Sequence, residues 1–175
     1  MSCTVVEVPK AKADDCNPDI NFAQVTRVYV GNSGNPFTDW TSLAEWTPRL
    51  DQAAAGADKI RTFNVIGSKP KPDRPKVAFS RKRTAYGDPK HSLPFKVDET
   101  HPDNYAFLKF LEDHPGQRNA VWYEIGKYLY GGNAGVDGLI ILDDTASEND
   151  EELNVFEGEI TWEGKHPDRI VNPLI

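Results

Sequence analysis

The chain has 175 residues, with 27 Asp and Glu against 20 Lys and Arg, a formal charge of −7 and a mean hydropathy of −0.58. That length suits one domain with a core of real size, since a chain near 150 residues buries about 70% of its unfolded surface. No apolar run approaches the ~18 residues of a membrane helix, and Glu7 and Pro9 interrupt Val5, Val6 and Val8, so neither a signal peptide nor an anchor is expected.

The charge is uneven. Residues 1–58 carry 4 basic and 8 acidic side chains, residues 59–100 carry 11 and 4, and residues 101–175 carry 5 and 15. A basic middle between acidic ends has two readings. A β-rich fold mixes the segments into a neutralised surface, or faces of opposite sign meet between copies of the chain.

In chain order, residues 1–20 read as an N-terminal arm without periodicity. Cys3 and Cys16 are the only cysteines. With no signal sequence they read as free thiols, a bridge across the arm being the alternative, and zinc lacks its four ligands. Residues 22–30 read as a strand closed by Gly31 to Pro36. Over 37–58, Leu43, Trp46 and Leu50 step at helical spacing, with Thr47-Pro48 as the helix start, Gly56 past its end, and Trp40 and Trp46 as apolar anchors. Residues 60–66 read as a strand stopped by Gly67.

Pro70, Pro72 and Pro75 then exclude a central strand or helix, because each fixes φ and lacks a donor. The stretch of about 68–90 is therefore an extended basic arm carrying Lys69, Lys71, Arg74, Lys76, Arg81, Lys82 and Arg83. Within it 77–80 reads as a short strand and 86–89 as a turn. Residues 90–98 alternate cleanly, with His91, Leu93, Phe95 and Val97 on one face, and Pro94 suggests a sheet edge. Residues 101–113 read as the one main helix, with Thr100 as cap, Pro102 in the first turn, and Tyr105, Leu108 and Leu111 facing the core between Phe107 and Phe110. Ala120–Ile125 is expected to pair with Val136–Leu142. Asp143, Asp144, Glu148, Asp150, Glu151 and Glu152 make 143–152 an acidic, solvated loop. A last strand over 153–162 puts Phe156, Ile160 and Trp162 on one face. The sum is a mainly β (α+β) domain over 21–175: a β-sandwich or open barrel of about seven or eight strands with one flanking helix.

Catalytic signatures are missing. There is no GxSxG, no P-loop and no dinucleotide fingerprint, so no enzyme activity and no cofactor are expected. The acidic loop lacks the order of an EF-hand, and no metal is expected there. Glu157 and Glu159 share a strand face and read as a wet surface. The His-Pro-Asp tripeptides at 101–103 and 166–168 do not sit between paired helices as in a co-chaperone J-domain, so they read as loop or cap residues. The basic tract holds few aromatics in a chain of pI about 5.1, which argues against sequence-reading nucleic-acid binding.

Four stretches carry a resemblance. They are Phe37-Thr-Asp-Trp40-Thr-Ser-Leu-Ala-Glu-Trp46, and Ile60-Arg-Thr-Phe-Asn-Val-Ile-Gly67 with the Pro/Lys arm after it. The third runs from Tyr86-Gly-Asp to Asn104-Tyr105-x-Phe107-Leu108. The last is Trp122-Tyr123, Leu129-Tyr130-Gly-Gly, Trp162 and Pro167-x-Arg169. Together they resemble virion structural proteins of tailed bacteriophages, of the tail-tube or tail-ring type in phages and prophages of Bacteroidetes. The resemblance implies a subunit that assembles with itself and other virion proteins into rings or a tube. DNA would pass through non-specifically and no membrane would be involved. It implies a location in the virion, after assembly in the bacterial cytoplasm. The basic arm then reaches a neighbouring copy, and the acidic residues are its counterpart or a lumen face. A capsid auxiliary protein is the alternative within that class. A carbohydrate-binding module stacking sugars on Trp40, Trp46, Trp122 or Trp162 is the alternative outside it.

Overall fold

The computed structural model describes residues 24–51, 53, 55–79, 83–145 and 155–175. The expected N-terminal arm with Cys3 and Cys16 lies outside them. Ten strands and two helices follow in order: β1 (Val25–Gly31), α1 (Leu43–Arg49), β2 (Arg61–Gly67), β3 (Lys76–Phe79), β4 (Arg83–Tyr86), β5 (Lys90–Val97), α2 (Pro102–Asp113), β6 (Arg118–Ile125), β7 (Tyr128–Tyr130), β8 (Val136–Thr145), β9 (Val155–Glu163) and β10 (Arg169–Val171).

Six strands close into an antiparallel barrel in the order β1-β2-β5-β9-β8-β6, with β6 returning to β1 from Val25↔Ile125 to Gly31↔Ala120. The fold is mainly β with a flanking helix, as the periodicity implied, and of the expected β-sandwich or open barrel it takes the barrel form, closed. A register shift between Val25 and Arg27 bends β1 into both of its neighbours, the usual device for turning a sheet on itself. Beyond the barrel, β7 takes over from β8 alongside the end of β6, and β10 pairs with β7.

The interior is packed rather than hollow. Val28, Phe63, Leu93, Phe95, Val121, Ile140, Phe156 and Ile160 fill it, and Leu108 of α2 packs on the same core with Phe107 and Leu111. A Cβ on Gly158 would stand 2.7 Å from the Phe95 ring, and one on Gly138 2.9 Å from Ile160, so the small residues make room for the large ones. The void left among Val28, Phe63, Phe95, Phe107 and Ile140 is about 10 Å³.

A second core lies outside the wall. Tyr29, Ala120 and Trp122 on the outer face of β1 and β6 meet Phe37, Trp40, Trp46 and Ile60 from the 35–60 segment. Trp46 lies 4.4 Å from Phe37 and 5.6 Å edge-on from Trp122. Its Nε1 donates to the Trp40 carbonyl, and Trp122 Nε1 donates to that of Gly132. Gly131 passes so close that a Cβ would stand 2.2 Å from Trp122 Cδ1, at a φ of +149°.

Several expectations change. α1 starts after Ser42, so Pro48 falls inside the helix and Gly56 lies beyond its Leu50 cap. Glu45 ties the helix to the loop before it, its carboxylate accepting from Thr38 and Asp39 N–H upstream of the Ser42 cap. His101, not Thr100, caps α2, its Nδ1 accepting from Asp103 N–H. Tyr105 and Phe110 are exposed, and the helix buries Phe107, Leu108 and Leu111 instead. β5 is an interior strand: it pairs with β9 throughout and with β2 at Lys96 and Phe95 only. Pro94 is tolerated where the β2 ladder stops, and its carbonyl still accepts from Ser68 N–H.

Candidate assembly surface and barrel mouth

The basic arm divides into two parts with different roles. Its base returns to the barrel. Ser68 N–H donates to Pro94, and Asp73 and Lys90 exchange two backbone bonds at 2.9 and 2.8 Å. Lys69 continues the inward series Phe63, Val65, Gly67 of β2, which carries its ammonium 5.0 Å from the Tyr123 ring centre and 4.9 Å from that of Tyr130. Those two rings stack 5.1 Å apart. Burial lowers the Lys69 pKa. Lys69 is therefore a plug in a barrel mouth and not a free contact of the arm, a place hidden in the sequence by reading Gly67 as the end of the strand.

The outer part of the arm is a hairpin. β3 and β4 pair only with each other, from Lys76↔Tyr86 to Phe79↔Arg83. Val77 and Tyr86 on it are exposed, and the Lys76 ammonium stands 5.9 Å from the Tyr86 ring centre. β4 was not foreseen. The expected interface residues Arg81 and Lys82 lie outside the described residues, and Lys71 and Arg74 belong to the base.

The mouth that holds Lys69 also gathers His91, Trp162 and His166. His91 stacks on Trp162 at 4.9 Å, meets His166 edge-on at 5.0 Å, and Trp162 lies 5.8 Å from Tyr123. His91 Nε2 is 3.0 Å from the Gly164 carbonyl, which can only accept, so Nε2 carries the proton in the neutral ring. Burial lowers the His91 pKa, the Gly164 bond opposes that, and the positive charges of His166, Lys69 and Arg74 reinforce it. Burial likewise pushes the Tyr123 phenol well above its ordinary value.

The acidic residues divide as well. Asp143 and Asp144 are not in a loop: β8 runs on to Thr145, paired with β9. Pairing won over charge there because Leu142 and Phe156 keep the two strands in the core. Glu148, Asp150, Glu151 and Glu152 lie outside the described residues. On the outer wall Asp143 faces Glu157, and exposed Ile141 faces Glu159. Glu157 pairs with Lys96 at 2.5 Å and Glu159 accepts from Ser92.

One buried polar centre was missed. Glu124, on the outer face of β6, accepts from Thr26, Tyr29 and Asn172 and faces Arg27 at 3.8 Å. Burial first, and then the Glu124 charge, push the Tyr29 phenol up to about 12. A lone Glu in an apolar strand was the only sign of it in the sequence.

Among the described residues there is no group of three or more His, Cys, Asp or Glu able to hold a metal ion, and no helix is long and apolar enough to cross a membrane. All four tryptophans are buried. The architecture defines a closed six-stranded antiparallel barrel with a helix on its flank and a basic two-stranded hairpin. No family model, curated protein or solved structure matches the chain.

Proposed function

We propose that the chain is a non-enzymatic structural subunit of a tailed-bacteriophage virion, of the tail-tube or tail-ring type, which self-assembles into rings or a tube around a DNA channel. The observation that carries this reading is the β3–β4 hairpin. Two strands paired only with each other are marginal in water, and their outer edges and exposed Val77 and Tyr86 invite a second chain. The barrel supports it by being filled, so that any channel runs between subunits and not through one. The outer wall of β8 and β9 is a fitting counterpart, since Asp143 and Glu157 face each other directly and Lys96, which pairs with Glu157, offsets one of the two negative charges.

Light scattering and negative-stain microscopy over a concentration series test the reading. Rings or tubes that grow with concentration are expected, and a strict monomer at every concentration overturns it. Reversing Arg81, Lys82 and Arg83 to Glu weakens assembly most at low salt, because screening already weakens the charge attraction at high salt. Unchanged assembly removes the charge argument while leaving self-assembly in place. The capsid-auxiliary alternative predicts binding to preformed shells without self-assembly. The carbohydrate alternative draws no support from tryptophans whose rings are buried.

A further inference from the structure

The two ends of the barrel are closed differently. Beyond Val97, at the far end of β5, α2 lays Phe107, Leu108 and Leu111 on the core. At the near end, where His91 pairs with Trp162, the arm's base takes that place, with Lys69 over the Tyr123 and Tyr130 rings. No residue of 68–75 belongs to either core. Backbone bonds hold the base at Ser68 N–H to Pro94 and across the Asp73–Lys90 pair, and Pro70, Pro72 and Pro75 have no N–H to add more. A segment with so few buried contacts opens locally, without the whole fold. The closed end also carries a defect. Among the described residues, four buried side-chain polar atoms have no hydrogen-bond partner, and three of them belong here: His91 Nδ1, Tyr123 OH and Trp162 Nε1. Orphaned buried polar groups are costly. The neutral His91 ring spends its Nε2–H on the Gly164 carbonyl, so Nδ1 is an acceptor with no donor. A proton on Nδ1 makes it a buried, charged donor with no acceptor, which is worse. That charge would face Lys69 and Arg74 of the base, and His166, whose ring stands edge-on at 5.0 Å. Trp162 on β9, Tyr123 on β6 and Tyr130 on β7 are uncharged. The nearby carboxylates, Asp73 and Glu163, are exposed on the outer side beside Lys71 and Lys90, and Glu163 pairs with Lys90 at 3.4 Å.

We propose that the arm's base is a proton-operated lid: segment 68–74 closes this end of the barrel while His91 is neutral and opens it when His91 takes up a proton. Opening carries the Lys69 charge away from the mouth and brings water to all three orphaned atoms, so the proton on His91 is better accommodated in the open state. Burial and the neighbouring cations hold His91 below its ordinary value in the closed state. The closed state is therefore favoured at neutral pH. It weakens as the pH falls below ~6.5, by at most about tenfold per pH unit for one proton. The lid is a property of a single chain. Only its consequence, that the β3–β4 hairpin hanging from the base loses its fixed direction in mild acid, rests on the assembly reading.

The test is amide hydrogen exchange on the full chain below the concentration of assembly, each rate divided by that of an unfolded chain at the same pH. Protection at Ser68, Asp73 and Lys90 N–H is expected to fall about tenfold between about pH 7 and 5.5. It is also expected to ignore low urea, which drives only openings that expose much surface. In His91→Phe, which keeps a ring on Trp162, the fall shrinks to less than about twofold. Lys69→Met keeps an apolar stem over the Tyr rings and removes one repelling charge, so the fall shrinks there too. An equal fall in the wild-type chain and His91→Phe overturns the proposal. An unchanged fall in Lys69→Met also overturns it, and decides the matter alone if His91→Phe does not fold. Exchange at the three amides with the urea dependence of β8 and β9 overturns it as well, because the base would then open only with the whole barrel.

Discussion

At the scale of single residues, His91 is where fold and solution conditions meet. Its ring faces His166, Lys69 and Arg74, all of positive or potentially positive charge, and its one proton acceptor is the Gly164 carbonyl. Burial and those charges keep it neutral in the folded chain, whereas an unfolded imidazole titrates near ~6.5. Between that value and the lower folded one, the unfolded state holds a proton that the native state does not, so stability rises with pH. The contribution is complete above ~6.5 and is lost as the pH falls through the folded value. In phosphate-free buffer, the urea midpoint of the wild-type chain should therefore drop more between about pH 7.5 and 5.5 than that of His91→Phe, which keeps a ring on Trp162. Equal drops in the two proteins would move the source to another group.

At the scale of elements, β10 is a lightly attached end of the large sheet. It pairs with β7 at three positions only, and the side chain of Asn172 locks it down. That side chain donates to Glu124 at 2.8 Å and accepts from Leu174 N–H, while Asn172 N–H donates to the Lys127 carbonyl. Asn172→Ala leaves the buried Glu124 carboxylate one donor short, at a cost of about 1–3 kcal/mol. Hydrogen exchange should quicken over 169–175 with little change in β5 and β9, and uniform quickening would show that β10 is not a separate unit. A three-residue strand of this kind is invisible to periodicity. β5 and β9 were legible because each has one face in the barrel and one in water, so Leu93, Phe95, Ile160 and Trp162 alternate with polar residues. β6 carried no such alternation, being buried on both sides by the barrel interior and the Trp46 cluster. Local rules misplaced the start of α1 and the cap of α2, since Thr47-Pro48 and Thr100 look like caps while α1 starts after Ser42 and His101 caps an α2 otherwise found where its pattern put it. The acidic tract hid two strand residues, Asp143 and Asp144, whose partners on β9 lie beyond a stretch of charge. Of the site, the basic charge of the arm was legible. Its division into a Lys69 plug and a hairpin was not, because the division depends on where the barrel closes.

At the scale of the whole molecule, the barrel and the hairpin are energetically separate. The barrel draws on two cores, one enclosed by six strands with α2 packed on it, the other formed on its outer wall around Trp46 and Trp122. Neither core includes a described residue of 76–86. At the hairpin's base the Gly87–Pro75 backbone bond closes its two legs on each other, and the Asp73–Lys90 bridge joins them to β5. Replacing 76–86 by a short Gly/Ser turn therefore takes away exposed Val77 and Tyr86 and leaves the Asp73–Lys90 bridge in place. Its effect on stability is expected to stay within about ±0.5–1 kcal/mol, as for a surface change away from any packed feature. If the hairpin serves the fold, the urea midpoint falls by far more than that. If it serves assembly, the midpoint holds while rings or tubes vanish from light scattering and micrographs at every concentration. Assembly that survives the replacement would shift the contact between copies to the remaining open edge at β10, where Val171 is 66% exposed. A charge reversal there, Arg169→Glu, would then be the sensitive position in place of Arg81, Lys82 and Arg83.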